Sequence, residues 1–572
     1  MADRGRSPDL TINSSQRNHI IMQGSDCTAF EIEGYISSLK NKATSDLAIQ
    51  PLKFVSKEIA PVIQHLVNAS LIQGIFPTKL KCAKVIPLHK GGSRTDINNY
   101  RPISLLSCFS KIYEKIMHNR LTKFFDENKI IFRSQYGFRS GHSCEHALLE
   151  AQHRLNIALD KNQIAVLLLI DFSKAFDMVD HGILLSKLEH YGVRGNILSW
   201  FRSYLINRRQ YVHVNNHESA VQTLQYGVPQ GSILGPLLFI LYINDMPQVS
   251  KLANYIFYAD DANIIITADN YDDLRSNVNT VLQKINNWVI NNGLKLNINK
   301  TKYMMFTNRR NIANELNISL NGKKIEYTDR ERFLGVILDS NLTWSSHINL
   351  LSSKLSQNSG IIYKLKGIVP VSVLRKLYNS FIQSHLNYCS SVWGLGAKSS
   401  LNKFFTSQKK AVRAIENRFN NCFYNPDTGE LPCHTKEIFA RNNILTVHNL
   451  IAKNCLVLMH KVLLKASPIN IVNLFSAVKE NGHRRKPIYF DVPYSRLKSL
   501  DKTLRFRGPK LYNTVVNSIN KELLNSKCNS DTISVEKKFL NPFKKAITKF
   551  FACTQKTGDK EWDNANFPLY TL

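Results

Sequence analysis

A chain of 572 residues is long enough for about two to four domains with a sizeable core, and its 43% hydrophobic and 21% charged content is that of an ordinary globular protein. Its 75 Lys and Arg against 43 Asp and Glu leave a net charge of +32, with 35 basic and 13 acidic side chains in residues 351–572 against 40 and 30 in residues 1–350. That asymmetry points to a polyanionic partner, nucleic acid first, while ten scattered cysteines without a C-x-x-C pair argue against a disulfide framework or a zinc ribbon.

Residues 1–29 are polar, rich in Ser and Asn and without an apolar signal segment, so a disordered tail is expected there. From Phe30 to Gln73 the apolar spacing (Ile36, Leu39, Leu52, Val55, Ile59, Val62, Ile63, Leu66) is helical. Lys81–His89 and Arg101–Leu106 read as strands joined through Gly91-Gly92-Ser93, and helical periods return over Phe109–Phe125 and His146–Leu159. The run Ile164-Ala-Val-Leu-Leu-Leu-Ile170 has the pattern of a strand covered on both faces, and it stops at Asp171. Tyr255–Phe257 and Ile264–Thr267 read as a hairpin with Asp260 and Asp261 at its tip. Beyond Asn341 the pattern is helical to about Leu464, and a looser basic tail follows. Cys422, Cys433 and His434 lack a fourth partner at metal-ligand spacing and read as free or buried side chains. The longest apolar runs, Ile164–Ile170 and Ile233–Ile243, are too short or too interrupted for a bilayer, so the expectation is no membrane contact and an intracellular site, nucleus or cytoplasm.

Carboxylates at the ends of apolar strands are not explained by core packing, since buried charge needs a partner. Asp171, Asp260 and Asp261 offer hard oxygen ligands on rigid elements, which suits Mg²⁺. Two such ions about 4 Å apart activate a primer 3′-hydroxyl and stabilise a leaving pyrophosphate. An isolated Asp-Asp pair is more often a polar turn; here its neighbours decide.

Those neighbours come in a fixed order: LLLIDFSKAFDMVDH (Leu167–His181), YGVPQGSILGPLLFILYINDMP (Tyr226–Pro247), IFYADDANIII (Ile256–Ile266), NGLKLNINKTKYMMF (Asn292–Phe306) and RFLGVILD (Arg332–Asp339). Upstream stand AKVIPLHKGG, NYRPISLLSCFSKIYEK and QYGFRSGHS. The ordered set closely resembles the reverse transcriptases of non-LTR retrotransposons, particularly insect-type elements of the jockey group, from about Phe30 to the C-terminus.

The resemblance implies an α+β right-hand polymerase: fingers, a palm with an antiparallel sheet and acidic hairpin, and a helical thumb. The implied division is a tail over 1–29, fingers and palm over 30–340, thumb over 341–465 and a basic extension over 466–572. Asp171, Asp260 and Asp261 match the catalytic metal ligands, for two Mg²⁺ with Mn²⁺ as a substitute. Phe176 matches the ring that blocks a ribose 2′-hydroxyl; Asp177 would be structural. Pro229-Gln230-Gly231 matches the loop against the nascent base pair. Lys84, Lys90, Arg101 and Arg139 are candidates for the incoming triphosphate, with Arg101 and Lys90 favoured, and Lys300 matches a lysine near the pyrophosphate. Phe333-Leu334-Gly335 resembles the primer grip. Lys409, Lys410, Arg413, Arg484, Arg485, Arg505 and Arg507 lie in basic and aromatic clusters suited to phosphate contact, although each cluster singly also reads as a solvated face. The implied partners are an RNA template, a DNA primer or nicked DNA target, and dNTPs.

The chain also departs from the pattern. About thirty residues precede the fingers, too few for the endonuclease that such elements carry, and neither a zinc-bearing nuclease nor an RNase H carboxylate set is evident. The expectation is a partial copy that extends a supplied end and relies on a separate endonuclease. Asn41-Lys-Ala-Thr-Ser-Asp-Leu-Ala48 replaces the usual Gly-Pro-Asp-Gly stretch. A viral-type RNA-dependent RNA polymerase usually shows Gly-Asp-Asp and a carboxylate near the sugar pocket, where this chain has Tyr258-Ala259-Asp260-Asp261 and Phe176. A domesticated, inactive copy that binds RNA is the other rival.

Overall fold

The computed structural model describes residues 20–41, 49–309, 315–396, 398–416, 435–478, 489–494, 500–518 and 540–557. Thr28 caps the first helix, Ala29–Ser38, by accepting from the Glu31 amide, and the helix Ser56–Gln73 stops at Gly74 in the left-handed region, where a Cβ would be strained. The disordered tail expected over 1–29 does not extend through its last ten residues. Met22 and Cys27 are buried, the Met22 amide donates to the Gly192 carbonyl at 3.0 Å, and Asn68 brackets Cys27.

A first sheet is built on the strand Cys82–His89, antiparallel to Tyr100–Leu105 and parallel to Arg209–Val214. The second has the order Glu326–Tyr327, Lys302–Phe306, Ile164–Ile170, Asp261–Ala268, Ala253–Tyr258, all antiparallel except the short first pair. Its central strand explains the unbroken apolar run. Side chains alternate across a sheet. Ile164, Val166, Leu168 and Ile170 join one core, under the helices Cys108–Glu127, Leu234–Tyr242 and Tyr271–Asn291, while Ala165 and Leu167 join a second core shared with the C-terminal helices. A strand between two cores has no polar face to offer.

After Asp339 the described residues contain helices and no strand. Ser345–Lys364 packs on Lys398–Ile415, and Val371–Tyr378 passes through a π turn at Asn379–Gln383 into Ser384–Asn387. The segment beyond 466 is less loose than its sequence suggests. Leu504–Ser518 and Asn541–Thr557 pack on Val447–Leu463, where the Phe543 ring lies 3.8 Å from that of His460 at an interplanar angle of 7°. Asn470 donates to Ser134 at 2.7 Å and reaches the buried Glu150, tying this segment to the N-terminal half. The architecture is α+β as expected, an antiparallel sheet with the acidic hairpin followed by helices. No described helix is long and apolar enough to cross a membrane.

Candidate active site

Asp171 follows the last residue of the central strand. The Asn297 amide N–H donates to its carbonyl at 2.9 Å, and the Asn297 side chain donates to Oδ2 at 3.0 Å. Lys300 Nζ stands 4.0 Å from that same oxygen, an exposed pairing that contributes little by itself.

Across the sheet, Tyr258 pairs with Asp261, which leaves Ala259 and Asp260 as a two-residue turn. Ala259 sits at φ 57°, where a Cβ is costly. Gln135 holds it there: its Oε1 accepts from the Ala259 amide at 3.1 Å and from the Gly137 amide at 2.8 Å. The backbone of Ser134–Tyr136 runs beside Phe257, exchanging bonds of 2.9 and 2.8 Å. A Cβ on Gly137 would lie 2.2 Å from the Ala259 nitrogen, so only glycine fits. QYGFRSG is thus a strut for the acidic turn, a role its sequence does not announce.

The carboxylates repel one another. Burial and then the Asp260 and Asp171 charges push the Asp261 carboxyl up to about 6. Burial also raises Asp260, with Asp171 adding to the rise, while its own backbone N–H and Arg101 oppose it. Among the described residues no three His, Cys, Asp or Glu side chains are gathered tightly enough to hold an ion alone. Mg²⁺ does not require that, because it takes one or two carboxylates and completes its shell with water and phosphate. Crowded oxygen donors that raise one another's proton affinity fit a hard divalent cation.

This crowding has a measurable consequence in metal-free protein. A folded-state pKa above the unfolded one favours the fold below the unfolded value, and the advantage is lost as pH rises through the folded value. For Asp261 the window runs from its ordinary 3.8 to about 6. In EDTA at pH 7.5, Asp261→Asn should therefore melt higher than the parent, by about 1–2 °C because these side chains, hemmed in by neighbouring protein yet open to solvent at their surface, are partly screened, and the gap should close as pH falls through the window. A lower melting temperature for the variant at pH 7.5 would refute mutual repulsion.

A cleft of about 1250 Å³ brings Asp171 and Asp260 together with Lys90, just past the strand Cys82–His89, and Arg101 on the strand Tyr100–Leu105. Phe176, Gln230 and Lys300 complete the predicted residues in its walls. The Phe176 ring stacks on Phe239 at 4.7 Å and 26°, and Phe138 meets it edge-on at 6.4 Å. Gln230 Nε2 donates to Asp177 at 2.9 Å, and the Gln230 carbonyl accepts from Ser104 at 2.8 Å. Gly231, at φ 139°, is pressed on the strand Tyr100–Leu105, where a Cβ would stand 2.3 Å from the Ser104 oxygen.

Other predicted residues lie elsewhere. Arg139 does not line the cleft: its guanidinium is held 3.4 Å from Asp126 and donates to the Phe132 carbonyl at 3.3 Å, so the structure does not offer it to a triphosphate. Leu334 and Gly335, both at positive φ, form the turn of the hairpin Arg330–Phe333/Val336–Asp339, and Phe333 is buried. The Tyr388 hydroxyl donates to the Leu334 carbonyl at 2.7 Å, so a residue of the helical region clasps this turn. Arg507 spends its guanidinium on the carbonyls of Leu395 and Asp501, each at 3.1 Å, a structural use rather than a phosphate contact. Arg505 lies beside Phe506, 5.8 Å from the ring centroid; Arg484 and Arg485 fall outside the described residues, as do Cys422, Cys433, His434 and Lys42–Ala48.

Lys410 is exposed on the helix Lys398–Ile415, beside Arg413 and Lys409, whose ammonium lies 4.6 Å from the Phe405 ring centroid. If these cations follow a phosphate backbone, Lys409→Gln with Lys410→Gln should flatten the plot of log affinity against log salt by roughly 0.7–0.9 for each phosphate left unneutralised. An unchanged slope in a fluorescence-anisotropy titration would place the nucleic-acid surface elsewhere. Charge removal is a cleaner test than truncation, because residues beyond 466 share the core.

Residues 88–338 match the family described as reverse transcriptase (RNA-dependent DNA polymerase). The chain is 30% identical over 389 residues to the RNA-directed DNA polymerase from mobile element jockey of Drosophila melanogaster, covering 66% of this chain and 41% of that protein. It is also 30% identical over 365 residues to the probable RNA-directed DNA polymerase from transposon BS of the same species, covering 61% and 40%. It thus spans about two fifths of the length of these curated relatives. Among solved structures, apo telomerase from Candida tropicalis covers 46% of this chain and 55% of its own at 15% identity, with a TM-score of 0.33, too low to carry an argument. The ordered motifs, the acidic hairpin at the sheet's end and the match over residues 88–338 agree: this part of the chain has the pattern of a reverse transcriptase domain, and the chain is similar to the polymerases of the jockey and BS elements.

Proposed function

We propose that this chain is an RNA-directed DNA polymerase that extends a primer 3′-hydroxyl with dNTPs on an RNA template. The observation that carries the reading is one cleft whose walls include the carboxylates Asp171 and Asp260, the cations Lys90 and Arg101, and Phe176 and Gln230. Asp171 and Asp260, with Asp261 behind them, would hold two Mg²⁺, for which Mn²⁺ can substitute. Bound there, the metal supplies charge neutralisation at the attacking and leaving oxygens. Lys90 and Arg101, in the cleft wall, would neutralise the triphosphate, and Lys300, 4.0 Å from Asp171 Oδ2, would give a proton to the departing pyrophosphate. The Phe176 ring, backed by Phe239, would close the space a ribose 2′-hydroxyl needs. Fingers and palm would span 30–340, the thumb 341–465 and the extension 466–572. The primer end would come from outside, as an annealed oligonucleotide or DNA nicked by a separate endonuclease, in nucleus or cytoplasm.

Primer extension by the purified chain on a heteropolymeric RNA tests this directly. Template-directed, divalent-metal-dependent DNA synthesis is the expected result. RNA binding without synthesis would favour the inactive, RNA-binding copy.

A further inference from the structure

Glu114, on the helix Cys108–Glu127, is fully buried and stands outside the cleft. Its Oε2 accepts from the Ile233 amide at 2.6 Å, and its Oε1 accepts from the hydroxyls of Ser110 and Tyr204 at 3.1 and 3.2 Å. Ile233 precedes the helix Leu234–Tyr242 and has no capping side chain itself; Ser232 Oγ, one residue earlier, accepts from the Gly235 amide at 2.9 Å, and Glu114 takes the Ile233 amide. A carboxylate 119 positions upstream therefore supplements the local Ser232 cap at the positive end of the helix. Burial raises the Glu114 pKa, and the charge of Arg208, with the Ile233 and Ser110 hydrogen bonds, opposes that rise. Arg208 is as deeply buried but forms no ion pair with Glu114: one nitrogen donates to the Tyr204 carbonyl at 3.2 Å, the guanidinium lies 4.7 Å from the Tyr204 ring, and Nε and Nη2 find no hydrogen-bond partner.

Buried charges of this kind are a poor route to stability, since apolar residues of similar volume usually do as well or better. What this carboxylate does is fix a position. The residues just before the helix carry Gln230, whose carbonyl is tied to Ser104; Ser232 then accepts from the Gly235 amide at 2.9 Å and donates to the Pro229 carbonyl at 2.9 Å. The helix itself carries Phe239, on which Phe176 stacks. Two cleft walls thus depend on where one helix starts, and Glu114 sets that start.

We propose that Glu114 is a positioning residue for the incoming nucleotide, acting through the loop of Gln230 and through Phe239 beneath Phe176. This rests on the proposal that Gln230 and Phe176 meet the nucleotide. Glu114→Gln keeps the shape and a carbonyl acceptor for Ile233 but removes the carboxylate at the helix start. Steady-state extension by the full chain should show the KM for dNTP rising about tenfold with kcat changed by less than about twofold, the scale of one lost charge-assisted hydrogen bond. The preference for dNTP over rNTP should fall in the same variant. Tyr204→Phe, which removes one donor and little volume, should raise KM in the same direction by about threefold.

A merely structural glutamate would lower the folded fraction, and with it the apparent kcat, while leaving KM and sugar preference alone. That result overturns the proposal. Should Glu114→Gln fail to fold, Tyr204→Phe decides: an unchanged KM overturns the proposal, and a raised one supports it. Phe176→Ala, run alongside, separates the two levels. If it leaves sugar preference intact, the assignment of the cleft falls and this inference with it. If Phe176→Ala relaxes the preference while KM and preference in both other variants stay at parental values, this inference alone falls.

Discussion

Asp260→Asn should lower metal-dependent primer extension by about a hundredfold to a thousandfold, the scale on which removing one group that stabilises transition-state charge is felt. The residue sits at the two-residue turn of the acidic hairpin and in the wall of the cleft. An amide of the same shape leaves the turn and its Gln135 support in place, because that support is made to the Ala259 backbone. Binding should respond in the opposite sense. A polyanion entering the cleft meets one negative charge fewer, so affinity for a primer–template duplex should hold or rise slightly. The two readouts together distinguish lost chemistry from lost folding. Comparable extension rates for variant and parent would remove Asp260 from the metal site, and a parallel loss of binding would mean that the hairpin had come apart.

What was legible in the sequence follows from how local its cause is. The central strand showed itself because both its faces are buried, which leaves seven consecutive apolar residues and then Asp171. The acidic hairpin was legible for a similar reason, as two apolar strands flanking two carboxylates. The side-chain partners across the chain were not. Arg139 has the chemistry of a phosphate ligand, and nothing in its neighbourhood says that Asp126, thirteen positions earlier on another element, already holds it. Arg507 is occupied by the Leu395 carbonyl, 112 positions away. The C-terminal segment looked loose because its apolar residues are sparse between cations, yet Tyr512 and Phe543 close on His460. Nothing in the sequence around Glu114 marks it out, because its partners Tyr204 and Ile233 lie 90 and 119 positions along the chain. Position along a strand can be read from periodicity; the partners of a charged side chain require the fold.

The Phe176 ring should decide which sugar is used, and the arrangement around it says how. Three aromatic side chains from separate segments meet there: Phe176 after the central strand, Phe239 on the helix Leu234–Tyr242, and Phe138 at φ 56° in the strut. Stacked against one ring and edge-on to another, Phe176 has little freedom to swing aside, so the space beside it is closed by a rigid group. A 2′-hydroxyl would have to displace this ring. Phe176→Val or Phe176→Ala opens that space, and the ratio of kcat/KM for dNTP to that for rNTP should fall by about a hundredfold, the discrimination a shaped pocket achieves against an added hydroxyl. Incorporation of dNTP itself should weaken less, because the deoxyribose never used the vacated volume. Valine is the milder variant, since it leaves a branched side chain against Phe239 and a smaller void. If Phe176 served only as a packing residue, both substrates would lose rate together and the ratio would stay at its parental value. A competition assay with a single templated position, run on parent and both variants, reads that ratio directly.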